Sequence, residues 1–193
     1  MFISGGGTGL QSIIDAARAG ILSAKVAWVV SSSKKAFGLE RAVKANIETF
    51  VFREKNYETP EAAVADLLAR LRERHIDYIA LAGYLKLLPA EIVRAYPRRI
   101  LNIHPALLPN YGGPGMYGHF VHEAVLASGD KETGPSVHLV DEIFDHGKIL
   151  AQVRIPVRPD DTPETLQARV QAEEHKLYPR VIERLIKGKY ELD

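Results

Sequence analysis

An asparagine and a histidine two positions apart could together perform acyl-transfer or proton-transfer chemistry. Asn102 and His104 stand near the end of the apolar run that begins at Ile100, in the segment LNIHPALLP. Alternate residues of a strand point to one side, so both side chains should leave the same face of a buried strand. An asparagine amide can donate to a developing oxyanion, and a histidine can exchange a proton near neutral pH. Because such residues also cap backbone groups, the pattern alone leaves catalytic and structural roles open.

A glycine-rich turn near the N-terminus could bind a phosphate. Gly5–Gly9, with the sequence GGGTG, joins a short apolar stretch to an amphipathic one that begins near Leu10. Glycines let the backbone approach a ligand, and the amides at a helix N-terminus attract an anion. The turn fits neither the G-x-G-x-x-G dinucleotide pattern nor the Gly-Lys-Ser/Thr ending of a P-loop. We therefore expect a phosphate site, and a glycine turn without a ligand is the alternative.

Two other groups of polar residues are less specific. The turn from Asp141 to Gly147 holds three acids, of which Asp145 is the best candidate to point inward. Its spacing is not that of a calcium loop, so metal binding is not favoured, and a solvated turn is the alternative. Gln171 and Glu174 lie three positions apart and share a helix face, a pattern that by itself is typical of an exposed surface.

Short apolar runs alternate with amphipathic segments along most of the chain, which predicts an α/β fold. Right-handed helical crossovers between such runs give a doubly wound, mostly parallel twisted sheet with helices on both faces. After about Pro135, two strand-like runs follow each other too closely for a crossover helix, so we expect an antiparallel pair there. The predicted strands are Met1–Ser4, Lys25–Val30, Ile47–Phe52, Tyr78–Ala82, Ile100–Ile103, Ser136–Val140 and Ile149–Val157, and the predicted helices are Leu10–Ala19, Pro60–His75 and one that Asp161–Glu164 opens and that runs to about Lys187.

Composition excludes several classes of protein. The length of 193 residues suggests one domain, and 25 basic against 24 acidic residues give a charge of +1, which disfavours nucleic-acid binding through bulk charge. The lack of cysteine excludes disulfide scaffolds and Cys-ligated zinc. No apolar run is long enough to span a bilayer and the N-terminus lacks a secretory signal pattern, so a cytoplasmic location is expected. Met1–Ser4 is short for a central strand, so we expect either a start upstream or a shortened strand.

Segments spread over nearly the whole chain resemble the glycinamide ribonucleotide formyltransferase family. In family order they are SGGGTGLQSIID, FGLERA, LAGYLKLLP, LNIHPALLP, HEAVLASG, TGPSVHLV, FDHGKILAQ and RVQAEEHKLYP. The resemblance implies the formyltransferase fold and transfer of a formyl group from the co-substrate 10-formyltetrahydrofolate to the amino group of glycinamide ribonucleotide, with no metal. It also implies a single domain with a ribonucleotide-phosphate-binding half over about 1–100 and a catalytic, folate-binding half over about 101–193.

The resemblance assigns Asn102, His104 and Asp145 to catalysis. Attack of the amine on the formyl carbon gives a tetrahedral oxyanion, which Asn102 and a protonated His104 would bind. Asp145 would favour the imidazolium form of His104. His104 and an ordered water would carry the proton to the leaving folate nitrogen. His122 and His138 are expected near this centre.

The resemblance also implies two substrate sites. The ribonucleotide residues are Gly7, Thr8, Gly9, Gln171 and Glu174, and the folate residues are Leu85, Lys86, Leu87, Leu88, Asp141 and Glu142. Gly9 stands where the family usually has Asn, so backbone amides must hold the phosphate. Lys86, in place of Arg, keeps the charge without bidentate recognition. The loop Asp141–Gly147 should wrap the pterin, and the glycine-rich stretch Tyr111–His122, longer than in some relatives, receives no role.

Several other functions are alternatives. A methionyl-tRNA formyltransferase should have a further C-terminal domain and a basic face. A formyltetrahydrofolate deformylase should have an N-terminal regulatory domain. We expect neither additional domain in 193 residues. The glycine turn and Glu174 disfavour a sugar-nucleotide formyltransferase. In a non-catalytic ligand-binding domain the proposed catalytic residues would be dispensable. We expect small-molecule substrates, no nucleic-acid or membrane partner, and a homodimer as one possible assembly.

Overall fold

Strands and helices alternate through residues 1–192, the part of the chain that the computed structural model describes. The strands are β1 (Phe2–Ile3), β2 (Trp28–Ser31), β3 (Glu48–Val51), β4 (Ile79–Ala82), β5 (Ile100–His104), β6 (Glu132–Thr133), β7 (Ser136–Leu139), β8 (Ile149–Gln152) and β9 (Ile155–Pro156). The helices are α1 (Thr8–Arg18), α2 (Gly38–Lys44), α3 (Pro60–Glu73), α4 (Ala90–Ala95), α5 (His119–Ser128) and α6 (Pro163–Ile186), with a 3₁₀ turn at Glu54–Asn56.

The central sheet has seven strands in the order β3-β2-β1-β4-β5-β7-β8. The strands β1 to β5 are parallel, and β7 and β8 are antiparallel at one edge. The doubly wound α/β fold and the antiparallel pair predicted from the sequence are therefore confirmed. The strand order reverses between β1 and β4, and ligands of open α/β sheets bind beyond the carboxyl ends of the strands at such a point.

One predicted strand, Ile149–Val157, is wrong. It is divided between two sheets, because β8 pairs with β7 whereas β9 pairs with β6 in a separate two-stranded sheet. Between β8 and β9 the backbone passes so close to Gly134 that a Cβ there would lie 1.8 Å from the carbonyl oxygen of Val153. The Val153 N–H donates to the Pro135 carbonyl at 3.1 Å. The run is divided because this segment crosses from one sheet to the other, which its apolar pattern does not reveal.

Helices cover both faces of the central sheet. On one face, α3 and α4 pack through Leu67 and Ile92, which are fully buried. On the other face, α1 and α6 pack, and the hydroxyl of Tyr178 in α6 donates to the carbonyls of Leu81 and Leu101 at 2.9 and 3.0 Å. These two hydrogen bonds hold α6 across β4 and β5.

Local sequence determines where α3 and α6 begin. The hydroxyl of Thr59 accepts from the Ala62 N–H at 3.1 Å, directly before the proline that opens α3. At α6, Thr162 and Thr165 exchange side-chain and backbone hydrogen bonds in a capping box. Such caps satisfy amide groups that have no partner inside the helix. Among the helices described, none combines the length and the apolar character that crossing a membrane requires.

Candidate active site

A cleft of about 610 Å³ opens at the carboxyl ends of β1, β4 and β5. This volume is in the usual range for a small-molecule site. Its wall is built from the segments Gly5–Gly9, Leu81–Leu88, Asn102–Pro105 and Gly113–Gly118, together with one face of α6. The topology therefore brings together the glycine turn, the Asn-x-His pair and the loop after β7, three features that are far apart in the sequence.

Asp145 lies at the centre of a hydrogen-bonded group in this cleft. Its Oδ1 accepts from Nδ2 of Asn102 at 3.1 Å and lies 3.5 Å from Nε2 of His138. Its Oδ2 accepts from the Gly113 N–H at 3.0 Å and lies 3.5 Å from Nδ1 of His104. The backbone of Asp145 has a φ of 53°, a left-handed conformation that Asp tolerates better than most residues. This turn directs the carboxylate inward, so that it contacts both side chains of the Asn-x-His pair.

Burial and neighbouring groups act in opposite directions on the carboxylate. Desolvation would raise the pKa of Asp145, but the neighbouring His138, His104 when it is protonated and the Gly113 N–H hold that pKa below its ordinary value. For His104, burial is the largest effect and lowers the pKa, which Asp145 offsets only in part. Asp145 therefore favours the imidazolium form of His104, as expected, but a buried imidazole loses more by desolvation than this carboxylate returns. His104 is neutral at neutral pH.

Backbone carbonyls determine which nitrogen of each histidine carries the proton. Nε2 of His104 lies 2.7 Å from the carbonyl of Tyr111, and Nδ1 of His138 lies 2.8 Å from the carbonyl of Leu139. A carbonyl only accepts, so both of these nitrogens donate. With Nδ1 donating, a lone pair on Nε2 of His138 can accept from Nδ2 of Asn102, which lies 3.1 Å away. The two N–H groups of Asn102 consequently point at Asp145 and His138.

The glycine turn is held by tight backbone contacts. Gly7 has a φ of 70°, and a Cβ on it would lie 2.5 Å from Cα of Gly38 at the start of α2. The Gly38 N–H donates to the carbonyl of Gly5 at 3.0 Å, and Nε of Arg41 donates to the carbonyl of Gly6 at 2.9 Å. The predicted residues Gly7, Thr8 and Gly9 all line the cleft. The turn therefore presents its backbone to the cleft beside the N-terminus of α1, where an anion is favoured.

Gln171 and Glu174 of α6 face the same end of the cleft. Nε2 of Gln171 donates to the hydroxyl of Thr8 at 2.8 Å, which links α6 to the glycine turn. Glu174 forms no ion pair within residues 1–192, and burial raises its pKa to about 7. The cleft thus places an acid that titrates near neutral pH close to the candidate phosphate site.

The candidate folate wall is only partly as expected. Leu85, Lys86, Leu87 and Leu88 all line the cleft, as do Ile143 and Phe144 of the loop after β7. The other two predicted residues of that loop have their contacts elsewhere. The carboxylate of Glu142 pairs with Nε of Arg94 at 2.8 Å, and the carboxylate of Asp141 lies 2.7 Å from Nδ1 of His146. Asp141 and Glu142 therefore hold the shape of the loop from outside, and its apolar residues form the wall.

The stretch Tyr111–His122 contributes more than the sequence indicated. The Tyr111 carbonyl contacts His104, the Gly113 N–H contacts Asp145, and Gly113–Gly118 and His122 line the cleft. Backbone groups provide the first two contacts, so no side-chain type could have identified them. His138, which the sequence placed only near the centre, contacts two of its members directly. Within residues 1–192, no three His, Asp or Glu side chains are grouped so as to hold a metal ion.

The chain is similar to known proteins over its whole length. The family model described as Formyl transferase matches residues 1–182. Phosphoribosylglycinamide formyltransferase of Escherichia coli (strain K12) is 38% identical over 192 residues, which cover 100% of this chain and 88% of that protein. The chloroplastic phosphoribosylglycinamide formyltransferase of Vigna unguiculata is 45% identical over 185 residues, or 96% of this chain. The chain spans 59% of the length of that relative.

A solved structure is similar throughout as well. The crystal structure of glycinamide ribonucleotide transformylase 1 from Symbiobacterium toebii aligns with a TM-score of 0.92 at 38% sequence identity. The alignment covers 100% of this chain and 88% of that one. The likeness therefore includes the whole sheet, both helical layers and every segment that lines the cleft.

Proposed function

The chain belongs to the formyl transferase family, and from that premise we propose that it transfers the formyl group of 10-formyltetrahydrofolate to the amino group of glycinamide ribonucleotide, a step of purine biosynthesis. The observation that carries the proposal is the group of Asn102, His104, His138 and Asp145 at the bottom of one cleft. A glycine turn suited to a phosphate and an apolar wall suited to a flat heteroaromatic ring lie in the same cleft.

The first step proposed is attack of the substrate amine on the formyl carbon. The formyl oxygen becomes an oxyanion, and one N–H of Asn102 turns to it from its protein acceptor, Asp145 or His138. Both acceptors lie 3.1 Å from Nδ2 of Asn102, so a small rotation of the amide suffices. One donor of this kind is typically worth about 3 kcal/mol of barrier, or roughly 10²-fold in rate.

Attack leaves the amine nitrogen positively charged, so the second step is removal of one of its protons. In neutral His104 the proton is on Nε2, so Nδ1 is the nitrogen that can accept another. The imidazolium formed in this way has the Tyr111 carbonyl on one side and the Asp145 carboxylate on the other. Asp145 therefore acts after proton uptake, when it stabilises the new charge. A water can then deliver the proton to the leaving folate nitrogen as the C–N bond breaks.

The substrates are assigned to opposite ends of the cleft. We propose that backbone amides at Gly7–Gly9 hold the ribonucleotide phosphate, and that Gln171 and Glu174 contact the same substrate. The folate is assigned to Leu85–Leu88 and to the wall of Ile143 and Phe144. Small-molecule partners, a single domain with two functional halves, a cytoplasmic location and a homodimer stay predictions.

The proposal is tested by supplying both substrates and following the absorbance of the folate product. We expect formylated ribonucleotide to form, and His104→Ala to lower kcat at least 100-fold with the fold intact by circular dichroism. His146→Ala is the matched control, because this imidazole belongs to the loop that carries Asp145 but pairs with Asp141 outside the cleft. Absence of transfer by the wild type would refute the proposal. Unchanged turnover in His104→Ala would refute the catalytic role assigned to His104.

A further inference from the structure

His122, in α5, has a buried ring nitrogen that no protein group satisfies. The residue is 1% exposed and lines the cleft. Its Nδ1 is enclosed by the protein and has no hydrogen-bond partner. Buried polar groups in native proteins are nearly always paired, because an unpaired one loses its hydrogen bonds to water and gains none. A buried imidazole of this kind beside a substrate cleft therefore calls for an explanation by function.

The tautomer of His122 follows from the enclosed nitrogen. A buried N–H without an acceptor is rarer and more costly than a buried lone pair without a donor. The stable neutral form consequently has its lone pair on Nδ1 and its proton on Nε2. Burial, together with the positive charges of His104 and His119 when protonated, lowers the pKa of His122 to about 4. The ring stays neutral above pH 5 and offers one N–H donor.

The position of α5 indicates which substrate the donor meets. Val125 of α5 packs against Leu166 and Val170 of α6. In α6, Gln171 directly follows Val170, and Glu174 lies one turn further along. Val170 and both of these polar residues line the cleft together with His122. His122 therefore lines the cleft from the helix that packs against α6, which carries two of the residues assigned to the ribonucleotide.

We propose that Nε2 of His122 donates a hydrogen bond to an oxygen of the amine-bearing substrate, either a carbonyl or a hydroxyl, and so positions that substrate beside His104. The inference rests on the proposed function and adds a specificity residue to it. Nδ1 is enclosed and stays an unpaired acceptor, so Nε2 is the one ring nitrogen of His122 that can hydrogen-bond to a molecule in the cleft. His122 itself transfers no proton in the reaction.

The test separates binding from packing by measuring affinity and stability together. His122→Leu removes the donor at similar volume, and His122→Asn keeps an N–H donor. We expect His122→Leu to weaken glycinamide ribonucleotide binding about tenfold, the usual effect of one hydrogen bond, and to leave folate binding within twofold. The melting temperature should stay equal or rise, because the unpaired nitrogen is gone. His122→Asn should recover part of the affinity, and neither variant should move the limbs of the pH–rate profile.

Thr133→Val is the matched control, since Thr133 is also 1% exposed, its hydroxyl is unpaired, and it does not line the cleft. This variant should gain stability without any change in substrate binding. Three results would overturn the inference while wild-type transfer is normal: unchanged ribonucleotide affinity in His122→Leu, equal weakening for both substrates, or a fall in melting temperature that accompanies the loss of affinity and is not rescued by Asn. A wild type without transfer activity would instead refute the proposed function.

Discussion

Glu174→Gln should stabilise the free protein at alkaline pH. Burial raises the pKa of Glu174 from its ordinary value of 4.5 to about 7, so the folded state binds this proton more tightly than the unfolded chain does. Below about pH 4.5, Glu174 is protonated in both the folded and the unfolded protein and does not lower the free energy of unfolding. As pH rises from there to 7, ionisation of Glu174 lowers the free energy of unfolding progressively, and above pH 7 the loss is constant. A rise of about 2.5 pH units, at about 1.4 kcal/mol each, amounts to about 3 kcal/mol. For a chain of this size that equals roughly 6–10 °C in melting temperature.

Thermal unfolding of the wild type and of Glu174→Gln between pH 5 and 9 measures this effect. The two proteins should melt within about 2 °C of each other at pH 5 and should diverge as pH rises, with the variant the more stable. Glu173→Gln removes the same charge from the next position, where the carboxylate pairs with Lys176 at 2.7 Å, and should change stability by less than about 1 kcal/mol at any pH. Equal melting curves for wild type and Glu174→Gln at pH 9 would refute the reasoning, because the carboxylate would then pay no desolvation cost.

Three further outcomes are expected. Asp145→Asn should lower kcat about 100-fold or more, because the imidazolium of His104 loses its counter-charge, and Asn suits the left-handed backbone at this position. The control Asp141→Asn should keep kcat within threefold of the wild type. Similar kcat values for both variants would contradict the role of Asp145. Gly7→Ala should lose about 1–3 kcal/mol of stability and most of the affinity for the ribonucleotide, because the φ of Gly7 is 70° and the new Cβ would meet Gly38. The control is Gly6→Ala, whose Cβ meets nothing within 4 Å. Equal melting temperatures for the two variants would count against this account. A chelator should leave formyl transfer unchanged, and activity that it abolishes and a divalent ion restores would contradict a step carried by His104 and Asn102.

The sequence predicted those helices and strands whose residue pattern is complete within the element itself. The strands around Ile79–Ala82 and Ile100–His104 are buried on both faces, so each is a continuous apolar run in the sequence. The start of α6 was predictable because Thr162 and the following proline satisfy and pre-set the first turn without help from the rest of the chain. Helices α2, α4 and α5 were not predicted, since 6 to 10 residues show too little periodicity to be recognised.

In the candidate site, sequence indicated the chemistry and tertiary structure determined its state. The Asn-x-His pair, the glycine turn and the resemblance to the family all depend on residue types in order, which the chain carries whatever its folded form. The protonation of His104 does not, because burial lowers its pKa more than Asp145 raises it. The tertiary structure also determined which of the three acids after β7 enters the cleft. Contacts of the folded loop turn Asp145 inward and leave Asp141 and Glu142 outside.

The sequence by itself determined the α/β layering, the strand that presents Asn102 and His104, and the family, because each is encoded by neighbours in the chain. Only the folded structure decided that backbone groups of Tyr111 and Gly113 contact His104 and Asp145, and that His122 has no protein partner for Nδ1. Hydrogen bonding and desolvation depend on which atoms surround a group in space. Those atoms come from segments that the linear order keeps far apart.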